Sequence, residues 1–155
     1  YQLGIQILAI LTILPGIVYQ YILPRDSSGD SNKKLKKLTI TVSIILAGLG
    51  FILAPIILPI LFPKFTEAIE VIQIVSISVI PSTINLMYIS KFLGNELSKI
   101  VLIGSGVFLL VQIISIFILG ELIGVNGVAM ALVLGASAEA IFLVTINKVI
   151  YKLTD

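Results

Sequence analysis

Glu139 has the clearest capacity for chemistry in this chain. It interrupts an apolar run that opens at Leu122 and resumes beyond it to Asn147, near the midpoint of that span. A carboxylate at the centre of a bilayer costs at least about 2.5 kcal/mol on insertion scales, so such a group must face protein or water. Two readings are open. Glu139 is an ion- or proton-coupling group or a contact for a polar substrate, or it is a neutral acid hydrogen-bonded to a neighbouring helix through Gln112 or Asn85. Gln6, Gln73, Asn85 and Gln112 are further polar residues set within apolar stretches, and with Glu139 they are the candidates to line a cavity.

Other chemistries are excluded by what the sequence lacks. With no His and no Cys, these residues offer no imidazole base, thiol nucleophile, disulfide or Cys/His metal site. Neither a P-loop nor a GxGxxG stretch occurs, so nucleotide hydrolysis has no support. Basic residues are few and the loops do not interleave them with aromatics, which argues against a nucleic-acid partner. No catalytic residue, metal or cofactor is expected.

The surroundings of Glu139 are set by composition. Hydrophobic residues make up 58% of the 155 and charged residues 12%, against about 25% charge in a soluble domain. Uncharged runs cover Tyr1–Pro24, Leu38–Pro63, Val71–Ser90, Ile100–Gly120 and the stretch broken by Glu139. Each reaches or approaches the ~20 residues that a helix needs to cross about 30 Å of hydrocarbon. Barrel strands would be about ten residues long and alternate in polarity, so continuous apolar runs specify helices. The expected fold is all-α, a polytopic transmembrane bundle in a single domain. Its helices are expected at about 3–22, 38–61, 69–90, 100–120 and 125–150.

The cations are sorted. Arg25, Lys33, Lys34, Lys36 and Lys37 follow the first run, Lys91 and Lys99 the third, and Lys148 and Lys152 the fifth. Nine of the ten basic residues therefore fall on one side, leaving only Lys64 on the other. Basic loops stay in the cytoplasm, which places the Tyr1 end outside and the Asp155 end inside the cytoplasmic membrane. The same cluster can also touch anionic lipid headgroups. A chain that begins outside, with Tyr1 and no cleavable signal peptide, is expected to be preceded by further helices of a larger protein.

Proline and small residues shape the runs. Pro15 precedes Gly16 in the first, and Pro81 sits near the middle of the third with Ser76, Ser78, Ser82, Thr83 and Asn85 around it. Proline removes a backbone donor and kinks a helix, while nearby hydroxyls can satisfy the freed carbonyls. Pro15 and Pro81 are therefore the hinge candidates. Pro55, Pro59 and Pro63 suggest that the second helix is distorted or stops early. Gly127, Ala131 and Gly135 recur every four residues, the pattern that lets two helix backbones approach closely in lipid. Tyr19, Tyr21 and Tyr88 fit interfacial anchors.

Three short signals in order carry a family resemblance. LFPKFTEAIEVI (Leu61–Ile72) leads into the third helix, KFLGNELSK (Lys91–Lys99) follows it, and GVNGVAMA (Gly124–Ala131) opens the fifth. Together they resemble the C-terminal region of polysaccharide or oligosaccharide flippases in the MATE-like MOP superfamily of lipid-linked sugar exporters. Members show an LFG-x-x-[FY]-x-x-A start, a G-[KN] cytoplasmic turn and a G-[IV]-x-G-[AV]-A-x-[AG] helix opening. The chain departs at Pro63, where Gly is usual, and lacks the Asn and Leu run common in the fourth helix.

The resemblance implies the end of the second lobe of a carrier of about twelve to fourteen helices working by alternating access. It also implies a lipid-linked sugar as substrate, with Arg25, Lys33 and Lys34 placed to meet its pyrophosphate at the cytoplasmic mouth. A membrane-embedded sugar polymerase or transferase is the alternative, and it would need acid or base residues on a sizeable outer loop. A small structural or assembly subunit packing through Gly127, Ala131 and Gly135 is the third reading.

Overall fold

The computed structural model describes residues 6, 9, 13, 16–24, 33–61 and 68–152, all helical except the turn at 95–97. Residues 16–24 form α1, followed by α2 (Lys33–Leu61), α3 (Ala68–Gly94) and α4 (Ser98–Lys152). Pro15 and Arg25 lie outside the described residues. Among those described, Lys34–Ile60, Ala68–Gly94 and Ser98–Ile150 are long and apolar enough to cross a membrane. The surface agrees with that solvent. Leu102, Ile60, Leu122 and Phe117 are each 70% or more exposed, which water would penalise and hydrocarbon does not.

α4 is not a straight rod. At 1.5 Å per residue its length would be about 80 Å, far more than a bilayer is thick. It breaks at Ile123 (φ −132°, ψ 16°) and Gly124 (φ 60°, ψ −131°), outside helical geometry. Beyond the break the chain returns along itself. A Cβ on Gly127 would collide with the Leu119 carbonyl, one on Gly135 would meet the Phe108 carbonyl at 3.1 Å, and one on Gly104 would meet Leu143 at 3.1 Å. The small-residue ladder is thus spent inside the chain, on the seam between the two arms of α4, and Ala131 within it is fully buried. Dispersion contacts of backbone on backbone replace the hydrophobic force that lipid cannot supply.

α3 is the central helix, packed against α2 on one side and α4 on the other. α2 runs antiparallel to it. Thr83 lies 2.8 Å from Ser43, Gln73 reaches the Phe51 carbonyl, and Ala54 and Leu58 pack on Ile72. Of the two outcomes the prolines suggested for α2, a distorted outer end or an early stop, the early stop does not occur. The helix continues through Pro55 and Pro59 to Leu61. Pro55 cannot donate to the carbonyl four residues back, at Phe51, and the Gln73 side chain donates to that carbonyl at 3.1 Å instead. α3 likewise runs unbroken through Pro81. There the expectation fails in detail, since Ser76, Ser78 and Thr83 bond the Ile72, Val75 and Val79 carbonyls. The carbonyl that Pro81 frees, at Ile77, is not among these.

The α3–α4 connection is a helix cap. Leu97 N–H donates to the Phe92 carbonyl at 2.8 Å and Glu96 N–H to that of Leu93 at 3.0 Å, the Schellman pattern. The left-handed residue it requires is Glu96, with φ 60°, where glycine is normal. Glu96→Gly is therefore expected to stabilise the protein by about 1 kcal/mol, read as a raised melting temperature in detergent. Gly124→Ala is expected to cost about 1–3 kcal/mol at its backbone angles. Equal melting of all three proteins would show that neither turn is strained.

Candidate functional site

The polar groups of α3 and the C-terminal arm of α4 meet in register. Asn126 donates to Glu70 at 2.5 Å, Asn85 donates to Glu139 at 2.9 Å, and Lys91 donates to Asn147 at 2.8 Å. The sequence separations are 56, 54 and 56, so the two helices run parallel with a constant offset. From Glu70 to Lys91 α3 rises about 32 Å, close to the ~30 Å of hydrocarbon. The outer two pairs therefore stand about one hydrocarbon thickness apart, and the third lies between them.

The inner pair contains the sequence's leading candidate. Glu139 is 7% exposed and Asn85 6%. The Asn85 amide donates both to Glu139 Oε2 and, at 3.0 Å, to the Ala136 carbonyl. Ser105, from the other arm of α4, donates to Glu139 Oε1 at 3.4 Å. Three helical segments thus converge on one carboxyl. Counting from the outer pairs, Glu139 lies about 12 Å from the Asn147 level and about 20 Å from the Asn126 level. It therefore sits within about 4 Å of the midpoint between those two levels, on the side nearer Lys91.

One atom is left over. Asn85 Oδ1 is buried without a hydrogen-bond partner, a costly state away from water. Its nitrogen is committed to the Ala136 carbonyl, which cannot donate, so the amide cannot rotate to relieve it. The node can therefore accept one further donor, a hydroxyl, an ammonium or a water. The described residues hold no cluster of three acids or imidazoles for a metal ion.

The remaining candidates separate. Gln112 does not reach Glu139 in the structure; its Cβ packs 3.2 Å from where a Cβ on Gly135 would stand, one turn away. Gln73 repairs the Pro55 defect between helices. Gln6 is helical and exposed. Lys34, expected at a substrate mouth, lies exposed on α2. Reasoning from sequence missed Ser105 as a partner of Glu139, and the signal available was its place between Gly104 and Gly106. It also missed the outer pairs, which the matching polar positions of the two runs foreshadow.

Two cavities are lined by apolar side chains. One of about 380 Å³ is lined by Ile74, Ile77, Leu119, Met130, Val133 and Leu134, and one of about 210 Å³ lies between α2 and Ile72. Comparison with family models, curated proteins and solved structures finds no match.

Asn85→Ala removes both hydrogen bonds that its amide donates and leaves Glu139 Oε2 without its partner, Ser105 remaining on Oε1. The expected cost is roughly 1–3 kcal/mol, above the ~0.6 kcal/mol average for one interhelical bond in a membrane. In a double-mutant cycle with Glu139→Ala, the second substitution should cost clearly less than it does alone. Strict additivity in unfolding measurements would show that the two side chains do not support each other.

Proposed function

We propose that this chain is part of a membrane transporter, a flippase that moves a lipid-linked oligosaccharide or polysaccharide precursor across the cytoplasmic membrane by alternating access. The observation that carries the reading is a buried carboxyl held by Asn85 and Ser105, with an unmet acceptor beside it, inside a bundle whose surface suits lipid. Intramembrane acids are expensive to insert and mark polar pathways. A sugar, rich in hydroxyl donors, matches the unmet acceptor in kind. The three ordered motifs that resemble lipid-linked sugar exporters point the same way.

In this reading the chain supplies five spans, with α4 contributing two, the Tyr1 end outside and the Asp155 end cytoplasmic. Lys34, Lys36 and Lys37 begin α2, antiparallel to α3, and so share an end of the bundle with Lys91, Lys99 and Lys148. Glu121 lies at the other end, beside the break in α4. Further helices of the same protein would complete the cavity, with the lipid tail remaining in the bilayer. The subunit reading loses its main feature, because the Gly127–Ala131–Gly135 ladder already packs within the chain.

Flipping of a lipid-linked oligosaccharide by the whole protein in proteoliposomes is expected to fall about tenfold in Glu139→Gln, the scale of one lost charge-assisted bond, and to change its pH profile. Unchanged activity with an unchanged profile would remove Glu139 from the transport path. These 155 residues contain no cysteine, so single cysteines introduced among them can report topology. Lys34→Cys and Lys148→Cys should react with an impermeant thiol reagent from the cytoplasmic side, and Glu121→Cys from the outside. Labelling of the first two from opposite sides would overturn the layout.

A further inference from the structure

Lys34, Lys36 and Lys37, in the first turns of α2, do not share one environment. Thr39, Ser43, Ala47, Ala54 and Leu58 are buried on the stripe that faces α3. Lys36 lies on the same side of the helix, half-buried. Lys34 and Lys37 lie away from that stripe, exposed, and with Leu38 and Thr41 they line an open depression of about 290 Å³. The Thr41 hydroxyl donates to the Lys37 carbonyl at 3.0 Å, so the lysines are the donors free to meet a ligand there. The first turn of α2 holds no acid.

Below this depression the same face is continuously apolar. Leu38 is 59% exposed, and Ile45, Leu49, Ile52 and Ile56 continue the exposure down the helix. The antiparallel pairing with α3 sets Lys34 and Lys37 level with Lys91 and its bond to Asn147. In the membrane layout proposed above, two cations one helical turn apart thus stand at headgroup depth above an apolar track. Their spacing suits the oxygens of a single phosphodiester.

We propose that the outer face of α2 is a binding site for an anionic phospholipid. Lys34 and Lys37 hold its phosphate, and its acyl chains lie along Leu38, Ile45, Leu49 and Ile52. The site is a boundary site and not a substrate mouth, because its lysines point away from the helix that carries Asn85. It depends on the membrane layout and not on the transport reading.

The test is native mass spectrometry of the whole protein released from nanodiscs of equal phosphatidylglycerol and phosphatidylcholine. Phosphatidylglycerol is expected to be retained at least about threefold over phosphatidylcholine, as charge pairing near a surface predicts. Lys34→Gln with Lys37→Gln should abolish the preference. Lys34→Arg with Lys37→Arg should keep it, and Lys99→Gln with Lys148→Gln, which removes the same charge elsewhere, should leave it unchanged. Millimolar inorganic phosphate should not displace the lipid, since it lacks the chains. Equal retention of the two lipids would overturn the proposal. So would loss of preference in the Lys99/Lys148 variant, displacement by phosphate alone, or a dimer on this face that the Gln variant dissolves.

Discussion

Hydrocarbon offers no hydrogen-bond partner, and most of this structure follows from that single constraint. Among the described residues, buried side-chain polar atoms find a match on their own or a neighbouring segment, with Asn85 Oδ1 excepted. Gln73 does so by crossing from α3 to the Phe51 carbonyl that Pro55 leaves bare. Thr83 does so at Ser43, and Asn85 at Glu139 and Ala136. A mismatch in lipid is costly and non-negotiable, so a few such bonds fix helix register more firmly than many interchangeable apolar contacts could.

The helices divide the work accordingly. α3 is the most buried and carries polar groups toward both neighbours, whereas α2 and α4 turn most of their apolar side chains to lipid. The C-terminal arm of α4 is tied to α3 at three levels and to its own other arm by close backbone contact. These segments form a unit in which the Glu139 carboxyl is held from two directions. α2 is joined to that unit by apolar packing and fewer polar links, which makes its seam with α3 the softer one.

Much of this was legible in the sequence. Run length gave the helical class, the sorted lysines gave a common end for Lys34, Lys91 and Lys148, and the four-residue spacing of Gly127, Ala131 and Gly135 gave a close helix contact. α2 begins at Lys33 and not at the first apolar residue because lysine is a good helix former and its long stem lets the charge reach water. What could not be read was pairing. That Asn85 and not Gln112 meets Glu139 depends on which face each helix turns to its neighbour, and the low amphipathic contrast of lipid-facing helices hides that choice. The repair of Pro55 by Gln73 was hidden for the same reason, since the proline and the glutamine are on different helices.

The turn at Ile123–Gly124 carries a further consequence. It reverses the chain without a hydrophilic loop, and its flanks hold only Glu121 and Asn126 as strongly polar side chains. In the layout proposed above, carrying so little charge across the membrane would meet a low barrier during synthesis. In that layout the two arms, whose backbones are in close contact, would enter the bilayer together as a folded pair without needing a polar bond from α3.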